Sequence, residues 1–208
     1  MQRFSLLIIL LVTSSIVVAA NLGQQFVFAK LAYGATVSLP KSWQVPRGNE
    51  MRAIETSVGA ALDLSGYAKQ LDGVEILVVA IFPDPELYAG VTITSLATPG
   101  VTPALPASLS DAQVKAGESI IRQGIEASQA KLGTKIYGWS SLKKIVIGGS
   151  TVMYTSYLRS SDVGERRVHL YKFFGTGRIF DLALSTSAKH ESANGVVLEK
   201  IASSFVAP

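Results

Sequence analysis

The stretch LKKIVIGGSTVMYTSYLRSSDVGERRVHLYKFFGTGRIFDLALSTSAKHESANGVVLEKIASSF, residues 142–205, decides how this chain folds. It divides into four strands: Leu142–Ile147, Thr151–Arg159, Arg166–Phe174 and Arg178–Thr186. Gly148–Gly149, the Ser160–Gly164 segment and Gly175–Thr176–Gly177 separate them. Links this short join antiparallel neighbours, because a parallel crossover needs a dozen residues or more. Val197, Ile201 and Phe205 then recur at four-residue spacing, which marks one apolar face of a helix. The stretch is dense in core-forming residues and carries no catalytic signature.

Upstream, Ser110–Asp111–Ala112–Gln113 is a capping box. The helix it opens has Val114, Gly117, Ile121, Ile125 and Leu132 on one face and Lys115, Glu118, Arg122 and Glu126 on the other, with Gly133 as its C-cap. Pro99, Pro103 and Pro106 make Thr98–Ser108 a loop. Val74–Phe82 is almost wholly apolar and predicts a central strand covered on both faces. Val91, Ile93 and Ser95 alternate with Thr92 and Thr94, which predicts its antiparallel neighbour. Met51, Ile54, Val58 and Leu62 follow Asn49 at helical spacing, and Gly66 ends that helix. Tyr33–Leu39 alternates as a strand stopped by Pro40. Trp43 and Val45 suggest a second short strand, with Trp43 under the sheet beside the last helix.

The N-terminus has the pattern of an export signal. Arg3 precedes a span, Phe4–Ala29, that carries no charge until Lys30. Val18–Ala19–Ala20 and Val27–Phe28–Ala29 both offer small residues for cleavage, after Ala20 or Ala29. The alternative is an uncleaved membrane anchor, since the span is long enough to cross a bilayer. Either way the remaining domain, residues 30–208, is expected outside the cytoplasm, in a bacterial periplasm or the exterior. The absence of cysteine excludes disulfides, a cysteine nucleophile, cysteine-ligated zinc and lipoprotein acylation. The net charge is +4, and the segment from Ser141 onward supplies it, with nine Lys/Arg against five Asp/Glu. That balance is too small for a nucleic-acid binder.

The element order, together with Leu39–Pro40–Lys41–Ser42–Trp43 near its start and Ile201–Ala202–Ser203–Ser204–Phe205 at its end, resembles the Mog1/PsbP-like group. The likeness runs from about Tyr33 to the C-terminus and is strongest to bacterial exported members. It implies an α+β fold: an α/β/α sandwich with a central, mostly antiparallel sheet flanked by about three helices. Members include a photosystem extrinsic subunit of plants and a nuclear-transport GTPase-binding protein, so the fold does not select a function. None of their functional residues is matched here. The resemblance implies an accessory or binding role.

Chemistry is sparse. His169 and His190 are far apart and neither has a ligand-spaced partner, so no metal or cofactor is expected. Gly148–Gly149–Ser150–Thr151 is a hairpin turn rather than a nucleophile elbow. Gly175–Thr176–Gly177–Arg178 lacks the following helix of a phosphate cradle. Asp181, inside an apolar run, is expected to pair with a basic residue on a neighbouring strand, and Asp84 and Glu86 to form a solvated turn. What remains is a basic and aromatic surface. Arg167, His169, Tyr171, Lys143 and Arg159 are its candidate residues, facing a protein or an anionic envelope component. Arg166 should reach solvent at the other face. The reading is thus a non-enzymatic exported binding or accessory domain. The alternatives are a minor-class hydrolase using a serine with His169, and a structural subunit of an envelope complex.

Overall fold

A computed structural model describes residues 24–45, 74–84, 86–162 and 164–208. Their strands are β1 (Phe26–Lys30), β2 (Thr36–Pro40), β3 (Val74–Ile81), β4 (Ala89–Ala97), β5 (Ile136–Tyr137), β6 (Lys143–Ile147), β7 (Ser150–Arg159), β8 (Arg166–Gly175) and β9 (Arg178–Ser187). Their helices are α1 (Leu105–Ser108), α2 (Asp111–Lys131) and α3 (Glu191–Ser204). The seven-stranded sheet runs β3-β4-β9-β8-β7-β5, with β6 also on β7, and every pairing is antiparallel. A separate ladder joins β1 to β2. This is the expected α+β sandwich.

Successive residues of β8 show how the layers are built. Phe173 belongs to the main core with Phe180, Leu182, Val197, Ile201 and Phe205, beneath α3. Phe174 points the other way, into a smaller core with Val114, Ile121, Leu142 and Met153 beneath α2. The two helices therefore cover opposite faces, called here the α3 face and the α2 face. Ala35, Val37 and Leu39 of the small ladder extend the α3-face core. The capping box opens α2 as expected, with Ser110 and Gln113 satisfying each other's backbone N–H groups. Gly148 and Gly149 both have positive φ, the conformation a two-residue hairpin turn demands.

Five expectations need correction. Thr98–Ser108, expected as a loop, ends in the helical turn α1, which accommodates Pro106 in its first turn, where a missing N–H is tolerated. The run at residues 74–82 forms β3, which among the described residues is an edge strand of the sheet, paired there with β4. Its apolar content reflects burial of Val78, Val79 and Ala80, while its first half is part-exposed. Tyr33 lies in a 3-10 turn with φ of 60°, so the strand starts at Thr36. Trp43–Val45 makes one bridge, Gln44 to Ile81, rather than a strand. Leu132 is half-exposed beyond the end of α2 and does not join its buried face. In addition, Phe26–Lys30 is a strand, which lies between the two candidate cleavage points except for its last residue. The helix expected over residues 49–66 lies outside the described residues.

Trp43 is buried in the main core, where α3 also packs. Trp43→Ala should lower unfolding free energy by about 3–5 kcal/mol, the usual range for a buried tryptophan. Urea denaturation reads this as a lower midpoint with an unchanged slope.

Candidate functional site

The strand register sorts the candidate residues. Lys143 lies opposite Tyr154, Tyr154 opposite Tyr171, and Ser156 opposite His169. Residues directly opposite share a face, so these five side chains stand together on the α3 face with Arg167. Arg159 does not. It lies opposite Arg166, one residue out of phase with Leu158, and so belongs to the α2 face. There its Nη1 donates to Gln129 Oε1 at 3.3 Å. The expected five-residue surface is therefore divided, with Arg159 beneath α2 and the other four beside α3. Arg166 does not project freely either, because its guanidinium lies 3.8 Å from the centre of the Tyr88 ring.

On the α3 face the side chains form one connected arrangement. The Tyr154 and Tyr171 rings are 4.9 Å apart, centre to centre. The ammonium of Lys143 sits 5.4 Å from the Tyr154 ring centre. The Tyr154 hydroxyl is 2.9 Å from His169 Nδ1. His169 Nε2 is 3.4 Å from one carboxylate oxygen of Glu191, and Arg167 Nε is 3.5 Å from the other. Arg167 Nη1 also donates to the Gly138 carbonyl at 3.3 Å. Glu191 opens α3, so this carboxylate ties the helix to β8. A neutral imidazole satisfies both neighbours, accepting from Tyr154 and presenting Nε2–H to Glu191. Burial pushes the His169 pKa down, Glu191 pulls it up less, and Arg167 adds a further push down. Burial raises Tyr171, with Tyr154 and Glu199 adding to it.

Other candidates resolve to structure. Lys172 donates to both Asp181 oxygens at 2.7 Å, the expected cross-strand pair. Asp84 Oδ1 accepts from the backbone N–H groups of Glu86 and Leu87, closing a local turn. Arg178 lies over the Tyr33 ring at 3.3 Å and donates to Ser95 Oγ at 2.7 Å. His190 is the N-cap of α3 without a side-chain capping bond. A recess of about 550 Å³ between α2 and Ser141–Leu142 is bordered by the Glu118–Arg122 ion pair. Among the described residues no three His, Asp or Glu side chains gather as a metal site. No described helix is long and apolar enough to cross a membrane.

Tyr154 and Glu191 complete the arrangement and are not among the residues that the sequence singles out. Strand parity could have placed Tyr154, once the β7–β8 register was fixed by its turn. No pattern signals that the first residue of α3 reaches back to β8. Ser156, the serine opposite His169, was also missed; its hydroxyl donates to Ser140 Oγ at 3.2 Å.

No protein-family model matches the chain, and no curated protein matches it by sequence. Its structure is similar to the solution structure of cyanobacterial PsbP (CyanoP) from Synechocystis sp. PCC 6803. The TM-score is 0.52 at 12% sequence identity, over 84% of this chain and 87% of that one. The fold is PsbP/Mog1-like. Weaker likenesses, each with a TM-score of 0.40, are to a Pseudomonas aeruginosa protein of unknown function and to LpqN of Mycobacterium tuberculosis. The first is 14% identical and covers 88% of this chain and 98% of that one. LpqN, described as involved in cell envelope biogenesis, is 12% identical and covers 88% and 90%. A PsbP/Mog1-like fold supplies the sandwich and leaves the function of the α3 face open.

The His169 environment has a measurable consequence. Its folded pKa lies below the unfolded value, so the unfolded chain takes up the proton first as pH falls. The associated stability is complete above about pH 6.5 and is lost as pH falls from there through the folded value. His169→Asn should therefore flatten the stability difference between about pH 7.5 and pH 5 relative to wild type, measured by urea denaturation at each pH. The same slope in both proteins would contradict the assignment.

Proposed function

We propose that this chain is an exported, non-enzymatic binding or accessory domain that engages a protein or an anionic envelope component through the α3-face ends of β6, β7 and β8. The observation that carries the reading is the partly buried Tyr154–Tyr171 pair, held by His169 on one side and flanked by exposed Lys143 on the other. Rigid aromatic side chains beside a cation are what interfaces use as anchors, because they supply contact area at little entropic cost. Arg167 meets Glu191, Glu199 lies near Tyr171, and Lys143 lies beside Tyr154, so the patch is mixed in charge. That balance favours a partner with both polar and apolar character. The hydrolase alternative has less support: both ring nitrogens of His169 already face partners, and the Ser156 hydroxyl turns to Ser140.

Export rests on the sequence pattern at residues 3–20. β1 pairs with β2 residue by residue from Phe26 to Lys30. Cleavage after Ala20 leaves that ladder whole, whereas cleavage after Ala29 removes all but its last residue. The mature protein should therefore begin at Asn21, read by mass spectrometry of protein purified from an exporting bacterium. A start at Lys30 would reject this choice, and a full-length species extracted only by detergent would replace cleavage with an anchor.

The partner is sought by capture from native envelopes with the tagged mature domain. Tyr171→Ala should weaken capture by roughly 30-fold, the scale of a 2 kcal/mol anchor. Lys143→Glu should weaken it in a salt-dependent way. Lys115→Glu, on the exposed side of α2, should leave it unchanged. Equal loss in all three variants would sink the reading. Ester hydrolysis by the purified domain that disappears in Ser156→Ala would favour the hydrolase instead.

A further inference from the structure

The α2 face holds a second feature, independent of the tyrosine patch. Arg159 on β7 and Arg166 on β8 are directly opposite each other. Directly opposed like charges on a sheet repel. Among the described residues no carboxylate lies within 4 Å of either guanidinium. The nearest acidic residue in sequence, Glu165, accepts instead from the Tyr137 hydroxyl at 2.8 Å. The Nε of each arginine is buried and has no hydrogen-bond partner. A buried unpaired donor on a charged group costs free energy, and here two stand side by side.

Both side chains are nevertheless held in place. The Arg166 guanidinium carbon lies 3.8 Å from the centre of the Tyr88 ring, and its Nε is left without a partner. Tyr88 is itself anchored, because its carbonyl accepts from Ser187 N at 2.9 Å and from Thr186 Oγ1 at 3.2 Å. Gly90 makes room for it, since a Cβ there would lie 3.0 Å from the Tyr88 hydroxyl. Gln129, in the last turn of α2, holds one Nη of Arg159. That helix end offers Arg159 about half a negative charge at most, and among the described residues Arg166 has no ion-pair partner. A third group faces the same region. Ser185 of β9 lies opposite Val168, two residues along from Arg166 on the same face. It is 9% exposed, and its Oγ is buried without a partner.

We propose that Arg159, Arg166 and Ser185 form a binding site for a tetrahedral oxyanion, a phosphate or sulfate group. One guanidinium fork satisfies the two oxygens of a carboxylate. Donors from three adjacent strands match the larger number of oxygens on a tetrahedral anion. The bound charge would relieve the arginine repulsion, and the hydroxyl would gain its missing partner.

The test is titration of the purified mature domain with inorganic phosphate and, separately, with glycerol phosphate. Binding is followed by the arginine Hε–Nε resonances and by calorimetry. The Arg159 and Arg166 Nε signals should shift together and saturate below about 10 mM phosphate. Arg166→Gln should weaken binding at least tenfold. Arg159→Lys, which keeps the charge and loses the fork, should do the same. The rest of each spectrum shows whether the variant is folded. Tighter binding of glycerol phosphate identifies an ester as the ligand, and tighter binding of inorganic phosphate identifies a free anion. Two results overturn the site: no saturable shift of either Nε signal, or phosphate affinity unchanged in both variants.

Discussion

Phe173 on β8 and Phe180 on β9 lie directly opposite each other, and both rings meet Phe205 at the end of α3, at 4.6 and 5.9 Å between centres. This aromatic contact fixes the register of the β8–β9 hairpin. A slip of one residue would turn every side chain of a strand to the other face. Phe173 would then leave the core for the α2 face, and Lys172 and Asp181 would lose the pairing that neutralises both. The hairpin end is closely packed as well. A Cβ at Gly175 would lie 2.8 Å from the Pro208 carbonyl oxygen and 3.0 Å from the Phe180 ring, so the C-terminus seats against a position only glycine fits.

Once that register is set, alternation distributes the polar chemistry. The even-numbered residues of β7 and the odd-numbered residues of β8 bring Tyr154, His169, Tyr171 and Arg167 beside α3. The opposite parity sends Arg159 and Arg166 beneath α2. A basic surface that looks continuous along the chain is thus two groups of side chains on two sides of one sheet. One is aromatic and mixed in charge, and the other is cationic with no carboxylate close by among the described residues. Glu191 couples the first group to the fold, because it joins the start of α3 to two residues of β8.

The last four strands and α3 were legible because short glycine turns and period-two patterns are local signals, and the observed bounds differ from the expected ones by one residue. The Ser110 capping box was legible as a local signal too, and a basic cross-strand partner for Asp181 was expected, which the structure identifies as Lys172. The place of β3 at the sheet edge was not. An apolar run reports how much of a strand is buried and says nothing of how many neighbours pair with it. Tyr33 was read into a strand by alternation, but its ring lies on Arg178 and its hydroxyl donates to Glu75 at 2.6 Å, contacts that accompany a positive φ. The candidate residues fall on two faces of the sheet. Parity placed Arg167, His169 and Tyr171 on one face, whereas Arg159 sits on another strand, and its face depends on a register that spacing alone does not give.

The most direct test of this arrangement is a nuclear Overhauser spectrum of the ring protons of Phe205 in the mature domain. The two-faced sheet requires cross-peaks from Phe205 to Phe173 and to Phe180, with none to Phe174. Cross-peaks from Phe205 to Phe174 in place of Phe173 would mean that β8 is turned over, and both proposed sites would exchange faces and dissolve.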